Sequence, residues 1–378
     1  MKMTRNNRIS LPVYNPLIPY NDLPELPPTA DIETKTILKK CITARAALAE
    51  LKSAAELIPD ATVLINSLPM LEAQASSDIE NIVTTADNLF QYAQTEEENM
   101  DAATKEVYRY RTALHQGFLG LKKKGVATNT AVDVCAQLKG VEAQIRRVPG
   151  TKVENKTART VVYTPPVGEH VIRTKLANWE KFLHREGADP LIRMAVGHYQ
   201  FEAIHPFTDG NGRTGRILNL LFLIEMQLLS SPILYLSGYI LRRKAEYYRL
   251  LREVTERRQW EPWILYNLDA VEQTAHWTNK KITAIRMLMS HTEQYIRKKL
   301  PKIVHKGVAH AIFTQPYCRI GNLMATGVER HTASGYLKQL CKIGVLQEIK
   351  RGRNKLFVHP KFVGLLSSHE SEFTEYGK

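Results

Sequence analysis

His205, Asp209, Arg213 and Arg216 stand within twelve residues, His205-Pro206-Phe207-Thr208-Asp209-Gly210-Asn211-Gly212-Arg213-Thr214-Gly215-Arg216. Their types suit phosphate chemistry. An imidazole takes a proton near neutral pH, and a hard carboxylate such as Asp209 is the natural ligand of a phosphate-bound Mg²⁺. Glycines at 210, 212 and 215 let backbone approach a ligand closely. The run from Arg216 through Ile217-Leu218-Asn219-Leu220-Leu221-Phe222-Leu223 opens a helix, whose N-terminal N–H groups, beside Arg213 and Arg216, make an anion hole. A base, a metal carboxylate and a phosphate cradle together point to attack on a nucleotide phosphate.

Two rival chemistries fit less well. Gly210, Gly212 and Gly215 also spell G-x-G-x-x-G, but that fingerprint needs a preceding strand and an acid about 20 residues on. Leu191–Ile204 has helical spacing instead, and Ser230 stands at the second place. His198, Glu202 and His205 fall on one helical face, yet a zinc H-E-x-x-H pattern wants a carboxylate after the first histidine, where Tyr199 stands.

The twelve residues resemble the signature of the Fic family, protein adenylyltransferases that move AMP from ATP onto a hydroxyl side chain. By that resemblance His205 is the general base, Asp209 the Mg²⁺ ligand, and Gly210, Asn211, Gly212, Arg213, Thr214, Gly215 and Arg216 the nucleotide cradle. Ser76-Ser77-Asp78-Ile79-Glu80-Asn81 is similar to the family's inhibitory motif. The resemblance makes Ser76, Glu80 and Asn81 regulatory, with Glu80 against Arg216. Taken alone, the same stretch reads as a capping box, Ser77 as N-cap and Glu80 three residues later. The resemblance further implies a target-positioning flap at Val161, Val162 and Tyr163 within about 158–166, and a nucleotide pocket lined by Tyr247 and Tyr248. An ordinary hairpin and core aromatics are the competing readings.

The elements that position these residues read as mainly α. Of 378 residues, 44% are hydrophobic and 24% charged, the balance of a globular chain of two or three domains. Six prolines mark residues 1–30 as an extended arm. Residues 31–110 read as an N-terminal helical region carrying the 76–81 motif. One helix face holds Ile37, Leu38, Ile42, Ala46, Ala47 and Leu51 and ends at Pro59, another segment lies near Pro69 to Leu71, and helices continue over 82–149 with a stripe at Ile82, Thr85, Ala86, Leu89 and Phe90. Residues 111–285 read as a Fic-like core with its β-hairpin flap and the 205–216 loop.

Residues 290–378 differ. Arg319–Ala325 and Glu329–Leu340 read as two short helices joined at Thr326-Gly327, and Gly344–Ile349 with Lys355–Val358 as a hairpin across 350–354. This resembles a winged helix-turn-helix domain, which binds duplex DNA, with Arg351 or Arg353 on phosphates, or serves as a protein-interaction module.

The formal charge of +14 favours an anionic partner without naming one. Four scattered cysteines, no run of eighteen apolar residues and a basic, Pro-rich start lead to the expectation of a cytoplasmic protein without membrane contact. The expected activity is AMP transfer from ATP, with Mg²⁺, to a target protein's Ser, Thr or Tyr and to the protein itself. A DNA-binding regulator that merely senses nucleotide and transfer of UMP are the alternatives. A homodimer is left open.

Overall fold

The computed structural model describes residues 14–58, 61–85, 88–90, 100–155, 159–303, 306–314, 316–351 and 354–377. Helix α1 (Lys35–Glu56) begins at Thr34, whose hydroxyl accepts the Ile37 N–H at 3.3 Å. It buries Ile37, Cys41, Ala44, Ala47, Leu48 and Leu51. The expected stripe is therefore rotated: Ile42 is 68% exposed, because the small residues Ala44 and Ala47 allow close packing on α10 (Trp260–Lys299).

Helix α2 (Ala61–Ile79) runs unbroken through Pro69, where the sequence predicts a short segment. An interior proline costs about 3 kcal/mol. Burial of Leu64, Leu68, Met70, Leu71 and Ala73, with packing on α3 (Ala102–Lys124) and α8 (Leu236–Arg242), offsets it. The predicted continuation over 82–149 is only partly helical: residues 82–85 and 141–149 are irregular, Ala86 lies outside the described residues, and α3 is followed by α4 (Thr128–Lys139). The Lys122–Lys124 run is the last turn of α3, ended by Gly125 at φ 63°.

Strands β1 (Val153–Asn155) and β2 (Thr160–Tyr163) pair antiparallel. Helix α5 (Glu169–Leu183) follows, then α6 (Pro190–Ile204), α7 (Asn211–Glu225), α8, α9 (Lys244–Arg257) and α10. α6 is the centre of the bundle, its flanks covered by α5, α7 and α10. Asp189 caps its start, accepting the Leu191 N–H at 2.8 Å. The arm, from Tyr14 on, is extended and docked: Leu23 and Leu26 are buried, and Asn178 exchanges two hydrogen bonds with the Leu26 backbone.

The expected boundary at 285–290 falls inside α10, which is 40 residues long. The helix is followed by the C-terminal elements α11 (Lys306–Thr314), β3 (Tyr317–Cys318), α12 (Ile320–Met324), α13 (Arg330–Lys342), β4 (Gln347–Arg351), β5 (Asn354–Val358) and α14 (Pro360–Ser367). The sheet order is β3-β5-β4, all antiparallel. The predicted helix pair and hairpin are present; β3 and α11 were not predicted. The side chains of Arg351 and Arg353 lie outside what is described.

Candidate active site

The loop sits between two helix ends that meet in the core. His205 closes α6 in the left-handed region (φ 52°, ψ 58°), its N–H donating to the Phe201 carbonyl at 3.0 Å. That conformation is uncommon for a residue with a side chain and is held from outside. Arg146 supplies the clamp: its Nε donates to the His205 carbonyl at 2.8 Å, its Nη2 to those of Ile204 (3.2 Å) and Pro166, and its own N–H reaches Pro206 O at 2.9 Å. Asn211 closes the loop on itself. Its Oδ1 accepts the Phe207 N–H and its Nδ2 donates to the Phe207 carbonyl, both at 2.8 Å. Asn211 is thus a buried clasp as well as the first residue of α7.

The His205 tautomer follows from its partner. Nδ1 lies 3.3 Å from the Glu202 carbonyl, which can only accept, so Nδ1 carries the hydrogen and Nε2 has the free lone pair. Burial and then the Arg146 cation push the imidazole pKa down to about 4. The ring is neutral and able to take a proton at pH 7.

Asp209 is exposed and ion-paired with Lys139 on α4, while its Oδ1 accepts the Gly210 N–H at 2.6 Å. Lys139, Gly210 and Arg213 outweigh its partial burial and hold its pKa below the ordinary range. Among the described residues no group of three His, Cys, Asp or Glu side chains could hold a metal. One exposed, ionised carboxylate is nevertheless the protein donor set that Mg²⁺ takes when phosphates and water complete its shell. The zinc alternative finds no support: His198 is buried, with Nε2 2.8 Å from the Tyr247 hydroxyl, and its pKa is pushed down to about 3 by burial and Arg216.

α7 starts at Gly210 (φ 83°), whose left-handed turn aims the first N–H groups of the helix into the cradle. Gly215 permits the α6–α7 approach: a Cβ there would lie 2.9 Å from Glu202 Oε1 and 3.2 Å from Phe201 Cδ1. Thr214 is fully buried beside it. Arg213 Nη1 pairs with Glu106 of α3 at 2.8 Å. Arg216 is 1% exposed and donates three hydrogen bonds to two residues: Nε to Ser76 Oγ at 2.8 Å, Nη2 to Ser76 O at 2.9 Å, and Nη2 to Glu80 Oε1 at 2.8 Å. Burial would raise the Glu80 pKa, but Arg216, then Arg213 and Lys244, bring it below normal, so Glu80 is ionised here.

The 76–81 stretch is a helix end, not a start, so the N-capping reading of Ser77 is overturned. α2 stops at Ile79. The Asn81 N–H reaches the Asp78 carbonyl at 2.9 Å and the Ile82 N–H the Ser77 carbonyl at 3.0 Å, with Asn81 at φ 63°. This is a Schellman closure with Asn81 as its left-handed residue, a position that accepts Gly or Asn and little else. Glu80, just before it, is swung off the helix axis toward Arg216. Lys244 Nζ donates to Asn81 Oδ1 at 3.3 Å.

The remaining expected residues are more dispersed. Tyr247 is 1% exposed and packs on His198, Trp263 and Tyr266, whereas Tyr248 is 43% exposed. Both rings lie near Arg216. On β2, Val161 pairs with Glu154, the Val162 carbonyl accepts the Tyr14 hydroxyl at 3.1 Å, and the Tyr163 hydroxyl donates to Ala203 O at 2.7 Å. Arg146, Lys139, Glu106 and Lys244 were not anticipated. Each comes from another part of the chain and carries no local pattern.

Comparison with known proteins agrees with this geometry. Residues 38–119 match the model described as Fic/DOC family N-terminal, residues 134–223 that described as Fic/DOC family, and residues 288–362 that of protein adenylyltransferase SoFic-like, C-terminal domain. Protein adenylyltransferase fic-1 of Caenorhabditis briggsae is 39% identical over 92 residues, covering 24% of this chain and 17% of its own. The probable protein adenylyltransferase aq_aa38 of Aquifex aeolicus is 36% identical over 97 residues, covering 25% and 27%. The chain therefore spans about a quarter or less of these relatives' lengths. A Fic family protein from Desulfovibrio desulfuricans G20 superimposes with TM-score 0.57 at 18% identity, covering 88% of this chain and 98% of that one. A Fic domain containing signaling protein from Bacteroides thetaiotaomicron VPI-5482 does so with TM-score 0.53 at 16% identity, covering 64% and 97%. At those identities the likeness speaks for the fold alone. With the 205–216 loop inside the central matched region and the 76–81 motif inside the first, the chain carries Fic/DOC family domains over residues 38–119 and 134–223.

Proposed function

We propose that the protein transfers AMP from ATP to a Ser, Thr or Tyr hydroxyl of a target protein, itself included, and that Glu80 holds this activity off. The observation that carries the reading is the occupied cradle: the Glu80 carboxylate lies on Arg216 and over Gly212, where an outer phosphate would bind.

In the active form His205 Nε2 takes the proton of the acceptor hydroxyl. The oxygen bonds to the α-phosphorus, the bond from that phosphorus to the bridging oxygen of the β-phosphate breaks, and pyrophosphate leaves. A positioned base contributes roughly 10²–10⁴-fold. N–H groups at the start of α7, with Arg213 and Arg216, bind the negative charge. Asp209 would hold Mg²⁺, which when bound neutralises phosphate charge, once Lys139 swings away. Tyr248, exposed beside Arg216, is the better placed of the tyrosine pair to meet the adenine. Val161 and Val162, with Tyr163 anchored on α6, would align an extended target segment.

A second reading concerns the C-terminal region. Residues 306–362 hold ten Lys or Arg against two Glu, a formal +8. Arg330, His331, Lys338 and Lys342 are exposed on α13, and Lys350 on β4. This supports duplex DNA in a winged-helix mode, α13 entering the major groove. Salt-dependent retardation of a duplex, weakened by Arg330→Ala with Lys338→Ala, is the expected result; none at low salt removes the DNA reading.

A cytoplasmic location fits four free cysteines. No helix among the described residues is long and apolar enough to cross a membrane. Oligomeric state is a matter for sedimentation, since a second copy could relieve or enforce the Glu80 contact. The test of the main reading is label transfer to protein with Mg²⁺: label from the α-position of ATP but not the γ-position identifies AMP, and preferential transfer from α-labelled UTP would replace it with UMP.

A further inference from the structure

Three buried groups off the loop have no part in the proposed chemistry: Glu72, Tyr110 and Ser237. Glu72, on α2, is 1% exposed, and among the described residues its carboxylate is bonded by hydroxyls and a backbone N–H rather than by a cation. Its Oε2 accepts the Ser237 N–H at 2.8 Å, and its Oε1 accepts the hydroxyls of Ser237 and, at 3.2 Å, of Tyr110. The Tyr110 hydroxyl also interacts with the Ser76 side chain, and Ser76 Oγ accepts Arg216 Nε at 2.8 Å.

The donor order is fixed by chemistry. Arg216 only donates, so Ser76 Oγ accepts from it. Tyr110 gives its proton to Glu72. The result is a run of buried polar groups from Arg216 through Ser76 and Tyr110 to Glu72 and Ser237, joining α7, α2, α3 and the first turn of α8. Such chains reinforce one another and are costly to leave half made.

Glu72 and Ser76 are one helical turn apart on the same face of α2, and Glu80 follows four residues after Ser76, just past the helix end. We propose that Glu72 is a positioning residue that, through Tyr110 and Ser76 and through Ser237, locks the register of α2 so that the Glu80 carboxylate is aimed at Arg216. This rests on Glu80 being inhibitory. It adds that the off-state is set two turns before the blocking residue, by a carboxylate that never meets nucleotide.

Glu72→Gln keeps an acceptor for the Ser237 N–H but puts an amide donor where the Ser237 and Tyr110 hydroxyls now donate, and Tyr110→Phe removes the central link at nearly constant volume. Both should raise Mg²⁺-ATP labelling of protein by roughly tenfold, the worth of a hydrogen bond to a charged group. Both should also speed hydrogen exchange at the Glu80, Asn81 and Ile82 amides. Combined with Glu80→Gly, neither should add further labelling, because there is no carboxylate left to aim. Ser237→Ala, the mildest change, should do the same to a smaller degree if the other two unfold, as judged by circular dichroism. Labelling by Glu80→Gly with none above wild type from Glu72→Gln, Tyr110→Phe or Ser237→Ala overturns the positioning role and leaves the main reading intact. Silence of Glu80→Gly itself removes the main reading. Equal gains from Tyr110→Phe with and without Glu80 would make it a general loosening and also overturn the proposal.

Discussion

Glu80 Oε1 lies 2.8 Å from Arg216 Nη2, and a Cβ on Gly212 would stand 2.5 Å from that same oxygen. One carboxylate therefore fills both the charged and the backbone side of the cradle. Whatever moves it leaves a cation and a bare helix start, the two elements that bind phosphate. The consequences can be measured separately.

The His205 imidazole is held down to about 4 by burial and Arg146. Activity of a Glu80→Gly variant, read as kcat/KM for ATP, should not fall with acid until well below the ordinary histidine pKa of about 6.5. An acid limb centred at 6.5 would mean that His205 is not in this environment when it acts.

Lys139 competes for Asp209. Lys139→Met should lower the Mg²⁺ concentration for half-maximal labelling by severalfold, without changing the maximum, if the ammonium merely occupies the ligand. A raised Mg²⁺ requirement would instead assign Lys139 to the phosphates.

Glu202 is half-buried with its Oε1 enclosed beside Gly215, and this burial raises its pKa to about 7 from an ordinary 4.5. The folded state thus binds a proton more tightly than the unfolded one. The stability this provides is complete below about 4.5 and is lost as pH rises through about 7. Glu202→Gln does not titrate, so its melting temperature should gain on wild type as pH goes from 5 to 8. A constant or shrinking difference contradicts that environment.

Lys281 on α10 is fully buried and donates to three carbonyls, Leu365 (2.9 Å), Ser368 (3.0 Å) and Glu370 (2.5 Å). Lys281→Met strands those oxygens, at about 1–3 kcal/mol for each that water cannot reach. The melting temperature should drop and exchange quicken in 365–370. No change would show that the clamp is dispensable.

Legibility from sequence was uneven for physical reasons. The 205–216 loop was legible because its roles sit on consecutive residues, and α6 and α7 because apolar spacing spans whole helices. The α1 stripe was misjudged, since apolar periodicity does not distinguish Ile42 from the smaller Ala44 that α10 needs at close range. The 76–81 stretch, taken alone, reads equally as a capping box at a helix start, because Ser-x-x-Glu serves both; only Asn81 in the left-handed region marks it as an end. Arg146, Lys139 and the Glu72–Tyr110–Ser237 cluster are assembled from distant segments, and long-range contacts leave no trace in local spacing.

The central claim is that one loop carries both the base and the switch. Its most direct measurement is the rate of protein labelling from α-labelled ATP with Mg²⁺ for wild type, Glu80→Gly, and Glu80→Gly with His205→Ala. The account predicts a gain of roughly ten- to hundredfold for the first substitution, from about 1.5–3 kcal/mol of released contact to Arg216, and its loss in the double variant. Equal labelling by both variants, or none above wild type from Glu80→Gly, would contradict it.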